Sequence, residues 1–241
     1  MDENDYLSEQ LPIPDDFNIL EEPVDVFLQF EYLEQARNPK RRKIPFNDLE
    51  EAEAILMAKD TTPATKKKLM IQLAETDNVE SFRLLERFKS KARGKLKQWT
   101  ILALHESRMH IQTSLLGERQ VFVSTGLGGK GKNVRFFFIL KKREESEFTE
   151  TQRRLVETEL NYSFKNSNGE FEKIQFEDNF ATGLFLYPLK EDFQPVFRAF
   201  IEECNQYGNF LYEGVIITNM KEFSVAEIKA FYPFTEATDN H

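Results

Sequence analysis

The hydrophobic period of the chain changes once, near Gly117, and no other feature limits its possible folds so strongly. From Pro23 to Leu116 apolar residues recur at helical spacing; beyond Gly117 they alternate or run together as in strands. Pro23 suits a first helical position ahead of Val24, Phe27, Leu28 and Leu33. Asn47 with Glu50 resembles a capping box before Ala54, Ile55 and Ala58, and Asp77 with Glu80 repeats it before Val79, Phe82, Leu85 and Phe88. Thr62-Pro63 pairs an N-cap with a first-turn proline, ahead of Leu69, Leu73 and Ala74. Gly94 marks a turn, and a long helix from about Lys95 to Leu116 stops at Gly117. The spacing therefore predicts five helices with short connections and antiparallel neighbours.

The second half reads differently. Gln120–Thr125 and Val134–Lys141 are predicted strands around a glycine-rich loop. A helix starts after Phe148-Thr149, strands follow near Phe171–Glu177 and Thr182–Tyr187, and a second helix spans about Phe193–Tyr207. Gly214–Asn219 reads as another strand and Ser224–Phe231 as a short last helix. From Val134 the order is β-α-β-β-α-β, the split-βαβ or ferredoxin-like arrangement, with one extra strand joined in front. The expected fold class is α+β: an N-terminal antiparallel helical region packed on a C-terminal ferredoxin-like sandwich. The domains are an acidic, partly ordered arm over 1–22, a helical region over 23–117 and the α+β domain over 118–241. The stretch LMIQLAETDNVESFRLLERF…KLKQWTILALHESRM, within 63–116, resembles the paired helices of HEAT-type repeats, with a leucine-rich first helix and a small-residue ILAL segment in the second. That resemblance implies a binding scaffold, and two or so pairs are too few to stand as a free solenoid.

Composition narrows the class. A single cysteine, Cys204, excludes a disulfide framework and a cysteine-based zinc site, and fits a reducing compartment. The acidic N-terminus lacks the features of a signal peptide, and no apolar run approaches the roughly 20 residues of a spanning helix, so a cytoplasmic protein with no membrane partner is expected. Twenty-three Phe against one Trp and seven Tyr imply Phe-built cores rather than an aromatic ligand platform.

The net charge of −9 conceals a sharp asymmetry: residues 1–82 carry −10, 83–143 carry +12 and 144–241 carry −11. Surfaces that serve only solubility mix their signs. Arg87, Lys89, Lys91, Arg93, Lys95 and Lys97 alternate before the long helix; Lys130, Lys132 and Arg135 flank the glycine loop; Lys141, Lys142 and Arg143 close the next strand; and Arg37, Lys40, Arg41, Arg42 and Lys43 follow the first helix. Such clusters attract phosphates, unless the molecule's own acids neutralise them. In Ser124–Lys132 the glycines Gly126, Gly128, Gly129 and Gly131 permit left-handed angles and a nest of amides for an oxyanion. The loop matches neither a Walker A nor a dinucleotide fingerprint, because a strand follows where a helix is required, and a plain hairpin connection is the competing reading.

Other constellations point away from catalysis. His105 and His110 are five apart, about 140° around a helix, which is wrong for a shared zinc, and His241 is the last residue. Glu170, Glu172, Glu177 and Asp178 read as solvated strand faces, and Cys204 as packing without a partner histidine. The expected function is a non-catalytic binding protein that holds an anionic partner, RNA or a ribonucleoprotein surface, through 83–143 and the glycine loop, with no cofactor and no metal. A protein–protein scaffold is the alternative, and an enzyme of phosphate-bearing substrates the third. The RNP aromatic signature is missing from VRFFFILK, so sequence-specific recognition is not predicted.

Overall fold

The structure is a computed structural model, and it describes residues 17–38, 43–117 and 121–231. The chain divides into two compact units, Met1–Ser124 and Thr125–His241. Together the described residues form a mixed α+β structure of eight helices and seven strands.

The first unit runs β1 (Phe17–Ile19), α1 (Val26–Arg37), α2 (Leu49–Met57), α3 (Pro63–Ala74), α4 (Val79–Lys91), α5 (Gly94–Leu116) and β2 (Val121–Val123). Its first four helices start at side-chain caps. Asp25 accepts from the Leu28 amide, Asp48 from Glu51, Thr62 from Thr65 and Asn78 from Glu80. The first helix thus begins at Val26, capped by Asp25, rather than at Pro23, and two caps sit one residue later than the capping-box pattern suggested. In one of these the Glu51 carboxylate reaches back to the Asn47 amide instead, at 2.7 Å. Gly117 ends α5 in the left-handed region, φ 69°, as its position predicts. Helix α5 packs against α1, α3 and α4. Its Trp99 is fully buried, donates to the Lys67 carbonyl at 3.1 Å and meets the Tyr32 ring edge-on at 5.0 Å. Leu56, Leu69, Met70, Leu73, Leu84 and Leu85 fill the space around it.

One expectation needs correction here. Gln120–Thr125 was expected to join the front of the C-terminal sheet. Its described strand, β2, instead pairs in parallel with β1, Phe17 opposite Val121 and Ile19 opposite Val123, within the first unit. The reason lies in 17–22, the end of the acidic arm that its apolar residues dock. Phe17, Ile19 and Leu20 are buried, and three apolar side chains at alternating and adjacent positions supply the burial that orders the segment. The rest of the arm, 1–16, lies outside the described residues, as do Lys40, Arg41, Arg42 and His241.

The second unit contains β3 (Gly129–Lys130), β4 (Asn133–Lys141), α6 (Glu150–Lys165), β5 (Glu170–Glu177), β6 (Phe180–Pro188), α7 (Gln194–Gln206), β7 (Ile216–Thr218) and α8 (Val225–Phe231). The sheet is antiparallel: β4 is flanked by β6 along its whole length, β5 lies beyond β6, and β3 and β7 share the other side of β4. Alternation along β4 sorts the layers. Phe138 and Leu140 face α6 and α7, while Phe137 and Ile139 face Ile228 of α8 and Leu127. Phe185 is the hub of the first layer, with Phe136, Phe164, Phe193 and Phe197 rings 5.1–5.5 Å away. The abundant phenylalanines here are core.

Candidate functional site

The basic stretch separates into groups that the fold treats differently. Arg87, on α4, forms a two-pronged pair with Glu53 of α2, at 2.6 and 3.1 Å. Each group reinforces the other's charge: Glu53 raises the Arg87 pKa, and Arg87 lowers that of Glu53. Lys89 is paired with Glu22. Beyond them the chain turns through Ala92 and Arg93 into α5, and there the pairing stops. Lys91, Arg93, Lys95 and Lys97 are exposed, and none has a carboxylate within ion-pairing distance among the described residues. The Arg93 guanidinium donates to the Ser90 and Ala92 carbonyls at 3.0–3.1 Å, which fixes it at the end of α4 while keeping its charge.

Helix electrostatics make this turn unusual. Lysines at the C-terminal end of α4 sit where the helix dipole favours cations. Lys95 and Lys97 sit in the first turn of α5, where it disfavours them by about 0.3–1 kcal/mol each. That turn has no acidic residue and no side-chain cap, so its first amides also point outward. Positive backbone and positive side chains are thus concentrated on one short surface. Stability alone gives no reason for that placement.

The glycine-loop residues are built in. Gly126, Gly128 and Gly129 are buried, while Lys130, Gly131 and Lys132 are exposed. A Cβ on Gly126 would fall 1.6 Å from the Met220 carbonyl oxygen, so the chain comes too close there for any other residue. The Leu127 amide donates to Asn219 at 3.1 Å, and the Gly128 carbonyl accepts from the Arg135 amide and the Thr125 hydroxyl. Gly128 and Gly131 take the left-handed angles expected of them, φ 72° and 60°. Lys130 pairs with Glu170 at 2.9 Å. Arg135 grips Glu172 with two bonds of 2.6 and 2.8 Å and donates to the Leu127 carbonyl, and this pair raises its pKa. The strand-end run also turns inward. Lys142 is buried, donating to Ser146 at 2.6 Å and to the Glu147 carbonyl, and Lys141 is buried near Glu145.

Of the thirteen candidate anion-binding residues, the α4–α5 turn gathers Lys91, Arg93, Lys95 and Lys97. Arg87, Lys89, Lys130 and Arg135 are each joined to a carboxylate. Glu170 and Glu172 are the partners of Lys130 and Arg135, and Asp178 that of Lys229, at 2.5 Å. Burial pushes the Cys204 thiol up to about 12 and pulls His105 down to about 4. Among the described residues no group of three or more His, Cys, Asp and Glu could hold a metal ion, and no helix is long and apolar enough to cross a membrane. Sequence reading missed that the dipole of α5 adds to the lysines of its first turn. The signal was present: Lys95 and Lys97 follow Gly94 with no Ser, Thr, Asp or Asn at the cap. No protein-family model matches the chain, and no curated protein sequence matches it.

Proposed function

We propose that this protein binds an anionic partner, RNA or a ribonucleoprotein surface, through the α4–α5 turn. The observation that carries the reading is the cluster Lys91, Arg93, Lys95 and Lys97, exposed and in no ion pair among the described residues, at the uncapped start of α5. The binding is electrostatic and follows the phosphate backbone, not the bases. The strand order β7-β4-β6-β5 supports reading the second unit as ferredoxin-like, and the α3, α4 and α5 packing supports the HEAT-like reading of the first. Both are likenesses of fold, which frame the function without defining it. The test is fluorescence anisotropy with a labelled 20-nucleotide single-stranded RNA. Four contacts predict a slope of log affinity against log salt of roughly −3. A failure to bind at about 50 mM salt, where screening is weak, overturns the reading.

A protein scaffold is the second reading, and one observation favours it: α1 exposes Phe27 by 77% and Phe30 by 65%, with Leu33 beside them. Partners retained after nuclease treatment, and lost on Phe27→Ser with Phe30→Ser, would move the conclusion to that face.

A further inference from the structure

The two edges of the sheet in the second unit are finished in opposite ways. Edge β5 is eight residues long, carries exposed Glu170, Glu172, Lys173 and Glu177, and has a register irregularity between Phe171 and Lys173. Charges and irregularities of that kind keep another strand from adding. Edge β7 is Ile-Ile-Thr, preceded by Val215, with no charge and no bulge, and among the described strands it pairs with β4 alone. Among the described residues no strand lies on its outer side, and only its three-residue length blunts the edge.

Beside that edge lies a groove of about 1060 Å³. Phe193, Phe197 and Ile201 of the α7 side and Val215 and Ile217 of the β7 side form its apolar part, and polar side chains of α7 and the loop after it form the rest. Register explains why. Ile217 stands opposite Phe138, so its side chain falls on the same face as α7. A strand added to β7 would place every second side chain in the groove. The rim has two signs: Arg198 and Glu202, one helical turn apart on α7, are both exposed, with no ion pair for either among the described residues.

We propose that this groove binds an extended peptide segment of a partner protein as an added strand on β7. Its alternate apolar side chains enter the groove, and an acidic and a basic side chain meet Arg198 and Glu202. An extended backbone is the one occupant that satisfies the free edge as well as the apolar floor. A helix would cover the floor and leave the edge groups unpaired. A second copy pairing through its own β7 would bring only Val215 and Ile217 to the groove side, and two aliphatic side chains leave most of that volume empty.

The test pans a phage-displayed random dodecapeptide library on the full chain. The best selected peptide, synthesised with a fluorescent label, is then titrated. The expected peptides alternate apolar and polar residues and carry both charges. Val215→Lys should weaken the peptide at least tenfold. Arg198→Glu, on the exposed face of α7, should weaken it about threefold, with recovery when the peptide's acid is changed to Lys. Hydrogen exchange of the 215–218 amides should slow at least tenfold on binding, which side-chain contact alone would not produce. Lys91→Glu with Lys95→Glu and Lys97→Glu should leave peptide binding unchanged, so this proposal and the RNA reading fail separately. The proposal is overturned if no alternating peptide is enriched, if Val215→Lys leaves binding intact, or if the amides stay unprotected. Self-association that Val215→Lys abolishes, with no peptide selected, would assign the edge to a second copy and overturn it equally.

Discussion

The α4–α5 turn and the β3–β4 hairpin come from one basic stretch, and the fold surrounds them in opposite ways. In the hairpin, Lys130 and Arg135 meet Glu170 and Glu172 across the sheet, and the glycines close the chain against Asn219 and Met220. Those cations are structural. In the turn, four cations share a surface with the start of a helix that has neither cap nor acid. Charge density along a sequence is thus a poor guide to charge available to a partner. What matters is whether the topology delivers a carboxylate to the same place, and strand β5 does so for one cluster only.

Several measurements can break or sharpen that contrast. The largest effect is expected from Gly126→Ala. A Cβ there collides with main-chain atoms, so the second unit should lose about 3 kcal/mol or more in chemical denaturation. RNA affinity should not change under conditions where the protein stays folded. A harmless Gly126→Ala would mean that the loop is open rather than packed. Next comes the triple reversal Lys91→Glu, Lys95→Glu and Lys97→Glu. Loss of three phosphate contacts and their replacement by repulsion should cut RNA affinity roughly a hundredfold and flatten the salt slope by about 2. If the slope stays the same, the turn is not the contact surface.

Acidification should act on the first unit. Burial holds His105 near 4, against 6.5 for the free side chain. Between those values the unfolded chain binds a proton that the folded one does not, so stability is complete above about pH 6.5 and falls as the pH approaches 4. The loss should be roughly 2–3 kcal/mol, and His105→Gln should reduce the slope of stability against pH in that window. Releasing a paired cation is a gentler perturbation: Glu53→Gln frees Arg87 and should strengthen RNA binding by roughly two- to fivefold, most visibly at low salt. The smallest effect belongs to Lys130→Ala with Lys132→Ala, which should shift stability by no more than about 0.5 kcal/mol per site and RNA affinity by less than twofold. A large loss of affinity there would return the hairpin to the binding surface.

Much of this was legible in advance because it is local. The stop at Gly117, the Thr62-Pro63 start and the helix start after Phe148-Thr149 depend on residues a few positions apart, and the chain spells them out. The order of elements after Val134 was legible for the same reason. What escaped were the long-range pairings. Nothing in Gln120–Thr125 says that its partner is Phe17–Ile19 rather than the strand that follows, because a run of three apolar residues fits either sheet. The quenching of Lys130 and Arg135 was equally hidden, since it requires knowing that β5 lies two strands from β4. The cations of the turn were visible as residues; that none of them forms an ion pair among the described residues became visible only in three dimensions.

The parallel pairing of β1 with β2 has a mechanical consequence. The two strands are separated by about a hundred residues, and the five helices lie in the chain between them. When the chain is pulled from both directions, tension enters β1 at Phe17 and leaves β2 at Val123. Because the strands run the same way, these forces oppose each other along the strand axis, and the rungs of the ladder are sheared together rather than opened one by one. Until they part, the intervening helices carry no load. The short pair therefore works as a latch that keeps the bundle slack under tension, and a pulling trace should show its release as the first event, ahead of any lengthening from the helices.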